Sequence, residues 1–150
     1  MGLIWIFIRP SQTSGNVDDL LADIFTMPNE NVAAYYDNIE AGKFSGESIE
    51  KIIDNEFGKY FNEKGLKSFV SKYCYTDFIA SLANDINASV TTKDIKVKYN
   101  GNDFTFSLTL VVKDKDYQIS GNGRLNDGKV EYFSLDNSSL EVIEEIRLKP

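Results

Sequence analysis

Residues 94–110, DIKVKYNGNDFTFSLTL, decide the fold. Ile95, Val97 and Tyr99 alternate with Asp94, Lys96 and Lys98; Phe104, Phe106, Leu108 and Leu110 alternate with Thr105, Ser107 and Thr109. Strict alternation sends one set of side chains to each face of a strand. Asn100-Gly101-Asn102 between the two runs is a hairpin turn signal. The stretch reads as two antiparallel strands with one apolar and one polar face.

The same pattern continues downstream. Residues 113–116 turn the chain; Tyr117 and Ile119 then face one way, and Gln118, Ser120, Asn122 and Arg124 the other. Asn126-Asp127-Gly128 is a third turn signal, and Val130, Tyr132, Phe133 and Leu135 form a fourth strand. The phase slip at Tyr132-Phe133 marks a bulge. Gly121 and Gly123 fall on the apolar face, where a missing side chain allows a strong bend or a close helix approach. The result is a four-stranded, curved antiparallel meander. Residues 138–149 carry Leu140, Val142, Ile143, Ile146 and Leu148, which fit a C-terminal helix or a fifth strand about equally.

Upstream of Asn87 the apolar period is 3.6 rather than 2. Residues 27–44, MPNENVAAYYDNIEAGKF, place Val32, Tyr35, Tyr36 and Ile39 on one helical face. Pro28 suits the first turn, Gly42 ends the helix and Phe44 returns to the core. This is the expected main helix, the one on which the sheet packs. A shorter helix over 17–25 leads into it, carrying Leu20, Leu21, Ile24 and Phe25, with Asp18 and Asp19 in its first turn. Ser45 or Gly46 opens another, with Ile49, Ile52, Ile53, Phe57, Tyr60 and Phe61. After a break at 62–65, Leu66, Phe69, Val70 and Tyr73 repeat the period. A last piece carries Phe78, Ile79, Leu82 and Ile86, with Thr76 as its cap. The fold class is therefore α+β: N-terminal helices packed on a curved antiparallel β-meander, a cone with a cavity at its mouth.

A chain of 150 residues forms one domain, here 17–150. With a net charge of −7 and no dense basic stripe, the chain lacks the footprint of a nucleic-acid binder. It contains no histidine, which removes the commonest general base and metal ligand. Cys74 is its one cysteine and reads as a buried, inert thiol. Glu141, Glu144 and Glu145 lack calcium-loop spacing, so no metal and no cofactor is expected. Two readings of the apolar run at 3–8, LIWIFI, stay open. It is an edge strand of the domain, or the end of a truncated membrane anchor joined by a polar linker at 11–16. Trp5 and Arg9 suit the membrane interface and favour the second.

Residues 27–44 and 57–72, FGKYFNEKGLKSFVSK, resemble the first two helical segments of small NTF2-like (cystatin-like) domains of bacterial envelope proteins. The resemblance covers 26–137 and implies a cone of helices and sheet. It also implies an extracytoplasmic location at the cell envelope, behind a membrane anchor. For function it implies a non-catalytic domain for protein–protein interaction or assembly, of the kind found in conjugation and secretion components. The alternatives are a small-molecule binding protein that uses the cone, for an apolar ligand, and, ranked last, an isomerase- or dehydratase-type enzyme. Isomerases of the superfamily use a carboxylate base with a Tyr/Asp oxyanion hole. Tyr35, Tyr36 and Asp37 supply the residue types without matching the positions, so no catalytic residue is carried over.

The candidate cavity lining is aromatic: Tyr35, Tyr36, Tyr60, Phe104, Phe106, Tyr117 and Tyr132. Tyrosine supplies both the apolar wall and the polar tip that pockets need, and the same rings serve equally as core filling. Tyr35 or Tyr36 is expected to face the sheet near Phe104, Phe106 and Tyr117. On the polar face, Thr105, Ser107, Thr109 and Val111, bordered by Gln118 and Ser120, form a patch with little charge. Interface cores are depleted in charge, so this patch is the expected seat of a homodimer or protein partner.

Overall fold

The computed structural model describes residues 8–42, 49–72 and 82–148. The expectations for residues 3–7, for Phe44 and the helix start at Ser45 or Gly46, for Tyr73, Cys74 and the helical piece at 76–79 lie outside the described residues.

Among the described residues, five helices precede the sheet: α1 (Ile8–Phe25), α2 (Glu30–Glu40), α3 (Ile49–Phe57), α4 (Glu63–Lys72) and α5 (Leu82–Ile86), with a 3-10 turn at Gly58–Tyr60 between α3 and α4. Four strands follow, β1 (Val90–Asn100), β2 (Asp103–Val112), β3 (Lys115–Asn126) and β4 (Lys129–Leu135), and then α6 (Asn137–Leu148). The sheet is an antiparallel meander in the order β1-β2-β3-β4. The α+β class read from the sequence is the observed one. The stretch at 138–149, which fitted two periods, is helical up to Leu148.

All three hairpins close with two-residue loops. Lys113 and Asp114 lie at φ 50° and 66°, and Asp127 and Gly128 at 52° and 78°. Paired positive φ values are those of type I′ turns, whose twist matches that of the flanking strands. Two bulges interrupt the ladders. One falls in β1 between Lys93 and Lys96, where Asp94 sits at φ 55°. The other falls in β4, where Arg124 pairs with Tyr132 and Leu125 with Val130, leaving Glu131 as the extra residue. The phase slip seen in the sequence is thus real and lies one residue earlier than read. It turns Val130 and Phe133 inward and leaves Tyr132 exposed.

The helix ranking differs from expectation. α1 buries Val17, Leu20, Leu21, Ile24 and Phe25, each at most 1% exposed, and packs on β1. Each such side chain contributes roughly 1.5–3 kcal/mol by leaving water. α4 packs on β4 and α6 on β3, whereas α2 packs chiefly on α3. In α2, Val32 is the fully buried apolar side chain among those described. Tyr35 is half-buried, as a phenol that keeps a polar tip to be satisfied often is. The backbone of α1 also runs through 11–16, the stretch read as a linker; Pro10 falls in its first turn, where a missing N–H is tolerated. Pro28 precedes the α2 cap instead of entering the helix. Asn29 is that cap, its Oδ1 accepting from the N–H groups of Asn31 at 3.0 Å and Val32 at 3.2 Å. Gly42, at φ 73°, follows the helix end as expected.

The sheet edges are closed by polar devices. Asn62 donates its N–H to Val130 O at 3.1 Å, and its Oδ1 caps α4 by accepting from Gly65 N–H at 2.8 Å. Beyond the end of β4, the Ser139 hydroxyl of α6 accepts from Ser120 N–H at 2.7 Å and donates to Ser120 O at 3.0 Å. Ser120 O also accepts from Asp136 N–H at 3.0 Å, so both backbone groups of this half-buried residue are paired.

Gly65 shows how close α4 comes to β4. A methyl group there would lie 2.1 Å from Val130 O, which is backbone and cannot swing away. Helix propensity alone makes Gly65→Ala stabilising by about 1 kcal/mol. The contact reverses the sign: Gly65→Ala is expected to lower unfolding free energy by about 1–3 kcal/mol in urea titrations. The control Ser68→Ala, in the same helix, is expected to stay within about 0.5 kcal/mol.

Candidate functional site: the sheet faces and the outer groove

The inner face is a continuous stack of aromatic rings. Phe104 and Phe106 project from β2 onto Gly123 and Gly121, their register partners on β3. A Cβ on Gly123 would meet Phe104 Cζ at 2.3 Å, and one on Gly121 would meet Phe106 Cζ at 2.7 Å. The rings, together with the β4 backbone oxygens of Ser134, 2.1 Å from a Cβ on Gly121, and of Tyr132, 2.4 Å from one on Gly123, therefore occupy the space that β3 side chains would fill. Phe106 stacks on Phe133 with centroids 5.4 Å apart; Phe133 meets Phe69 edge-on at 5.7 Å; Phe69 stacks on Phe61 at 5.0 Å. All of these rings are at most 5% exposed. Among the described residues these rings pack against one another and away from solvent.

Of the seven candidate aromatics, the six whose side chains are described lie in different parts of the molecule. Phe104 and Phe106 belong to the stack, and Tyr117 is half-buried at the edge of the same core. Tyr35 lies away from the sheet, in a hollow of about 300 Å³ between α2 and α3, with Asn31, Ile52 and Glu56. Tyr36 is described in its backbone alone. Tyr132 stands on the opposite, outer face of the sheet, 37% exposed.

Tyr60 has a separate role. Its hydroxyl donates to Asp23 Oδ2 at 2.6 Å and ties the 3-10 turn to α1. Burial, then the Asp23 hydrogen bond and the Asp23 and Asp19 charges, push its phenol above the usual tyrosine range. Nearby Asp18 is raised by burial and by Asp19, and its Oδ1 is buried without a hydrogen-bond partner. Among the described residues no group of three potential ligands could hold a metal.

The outer face carries rows fixed by register. Lys93, Thr109 and Gln118 form one row; Lys96, Ser107 and Ser120 the next; Lys98, Thr105 and Asn122 the third; and Asp103, Arg124 and Tyr132 the row beside the first hairpin. Gln118 Nε2 donates to Thr109 Oγ1 at 2.8 Å, and Lys93 reaches Asp116 at 2.9 Å across the sheet. Arg124 Nε–H donates to Asp103 Oδ1 at 2.9 Å. Around that last row lies a groove of about 630 Å³, completed by Lys64 and Ser68 of α4 and by the bulged Glu131.

Of the groove residues, the sequence pattern points to Phe104 and Tyr132 as cavity lining. It misses the Asp103–Arg124 pair, Asn122 and the α4 wall. The signal for the pair was present, since two-residue loops fix the register and set Arg124 opposite Asp103. The wall depends on where α4 docks, which local pattern does not encode.

The Tyr60 hydrogen bond gives a pH test with a definite sign. A phenol whose pKa is raised on folding contributes stability below the unfolded pKa of about 10 and loses it as pH rises further. Tyr60→Phe is expected to cost about 1 kcal/mol near neutrality. The gap between wild type and variant then shrinks as denaturant titrations move above about pH 10. A gap that is constant or widens contradicts the assignment.

No family model matches the chain, and no curated protein matches it. Among solved structures, the crystal structure of a de novo designed protein with a curved β-sheet is similar to it at a TM-score of 0.40 and 16% identity, covering 80% of this chain and 97% of that one.

Proposed function

We propose that this is a non-catalytic interaction domain of NTF2-like architecture that docks a protein partner, or a second copy of itself, through the outer face of its sheet. One observation carries the reading: the inner face is occupied by the Phe104–Phe106–Phe133–Phe69 stack, while the middle of the outer face consists of small hydroxyl and amide side chains. Thr105, Ser107 and Gln118 form the accessible centre, with Thr109 only 2% exposed and bonded to Gln118, flanked by Lys96 and Lys98 on one side and Asp116 on the other. A centre poor in charge inside a charged border is how interface patches are built. The NTF2-like family, the cell-envelope setting and a membrane-proximal role for the apolar run at 3–8 belong to the same proposal. Among the described residues no helix is long and apolar enough to cross a membrane.

The test is sedimentation. Wild type is expected to self-associate at high micromolar concentration, and Ser107→Arg, which sets a charge in the centre, to remain monomeric with an unchanged melting temperature. Wild type that stays monomeric throughout removes the second-copy reading. Equal association of wild type and variant moves the interface off this face.

A further inference from the structure

We infer that the groove beside the first hairpin is a binding site for a neutral, polyhydroxylated ligand with one apolar face, that is, a pyranose unit of a saccharide. This goes beyond the docking face proposed above and centres on the row beside the first hairpin, sharing Thr105 with that face.

The groove is built by a specific irregularity. The extra residue at Glu131 shifts the phase of β4, so that Tyr132 comes to the outer face in the same row as Asp103 and Arg124. Bulges commonly re-aim side chains next to functional sites. Among the described residues, Tyr132 is the exposed large aromatic, with Leu148 as the other exposed large hydrophobic side chain. An exposed ring inside a concave surface, at about 630 Å³, falls within the size range of ligand pockets.

The chemistry of the wall narrows the ligand. Lys64 and Arg124 are balanced by Asp103 and Glu131. Arg124 is held by Asp103 through Nε, with Glu131 reinforcing its positive charge, so the site does not present an uncompensated cation to an anion. That pairing uses one of the five guanidinium N–H donors. Asn122 adds an amide, and Ser68 and Thr105 add hydroxyls. Planar amide, carboxylate and guanidinium groups match pairs of neighbouring ring hydroxyls as joint donors and acceptors. A tyrosine face matches the C–H side of the same sugar ring, since aromatic rings offer a flat, partly negative apolar surface. An apolar ligand would leave the polar groups unpaired, and a phosphate would face Asp103 and Glu131.

The experiment is a two-dimensional amide NMR titration of the full chain with chitotriose and, separately, maltotriose, with adenosine as a planar, non-saccharide probe. Saturable shifts with at least one trisaccharide are expected at 103–105, 122–124 and 131–132, with dissociation constants in the millimolar range. Tyr132→Ala is expected to weaken binding by about tenfold or more, whereas Tyr132→Phe, which keeps the ring, stays within about twofold. Since the titration of wild type maps the site directly, the result stands even where Tyr132→Ala perturbs the fold. The inference is overturned by no saturable shift with either trisaccharide, by shifts that map elsewhere, by unchanged affinity in a folded Tyr132→Ala, or by adenosine binding in preference to both sugars. Sedimentation of Ser107→Arg reads the docking face independently, so the two ideas fail separately.

Discussion

The structure depends on two glycines that two phenylalanines cover. Gly121 and Gly123 leave β3 without side chains on the inner face, and Phe106 and Phe104 lie across the gaps. A glycine inside a strand ordinarily weakens it, through backbone entropy and lost packing. Here a large ring from the neighbouring strand supplies the packing, and the missing Cβ atoms let the strands bend toward the helices. From that bend follows the continuity of the aromatic stack through Phe133 to Phe69 on α4. Gly65 works at the other end of the stack, letting α4 settle against Val130. Curvature, core and helix placement are thus one constraint expressed at three glycines.

A filled inner face changes where function can sit. Folds of helices on a curved sheet host many activities, so architecture alone does not choose among them. With these rings packed against the inner face, the surfaces proposed for recognition lie outside it. These are the hydroxyl-rich middle of the sheet and the groove at its end, both shaped by strand register and by the β4 bulge. The charge pairs on this face, Lys93–Asp116 and Arg124–Asp103, are solvent-exposed. Such pairs contribute little to stability, and their value here lies in setting orientation and compensating charge at a surface that a partner would touch.

Much of this was legible in the residues. Alternation over β1 and β2, the three turn signals and the two inward glycines specify the sheet from local pattern alone. The bulge was legible as a phase slip, off by one position because Tyr132 and Phe133 are both aromatic and only register shows which faces in. Helices were harder. α1 and α2 both carry a clean 3.6 period, yet it is Leu20, Leu21 and Ile24 of α1 that are fully buried, while Tyr35 of α2 lies away from the sheet. What covers the sheet is decided by tertiary burial, and a tyrosine is an ambiguous witness to burial. α6 fitted two periods and was settled by Ser139 and Ile143 docking against β3. The groove was the least legible part, since its α4 wall is brought there by docking.

The most direct test of the central claim is a double-mutant cycle between Gly123→Ala and Phe104→Leu, read as unfolding free energies in urea. If Phe104 fills the space that Gly123 leaves, the cost of Gly123→Ala falls by about 1 kcal/mol or more once the ring is shortened. Costs that add to within about 0.3–0.5 kcal/mol would contradict it, and with it the account of the curved sheet as glycine gaps closed by phenylalanine.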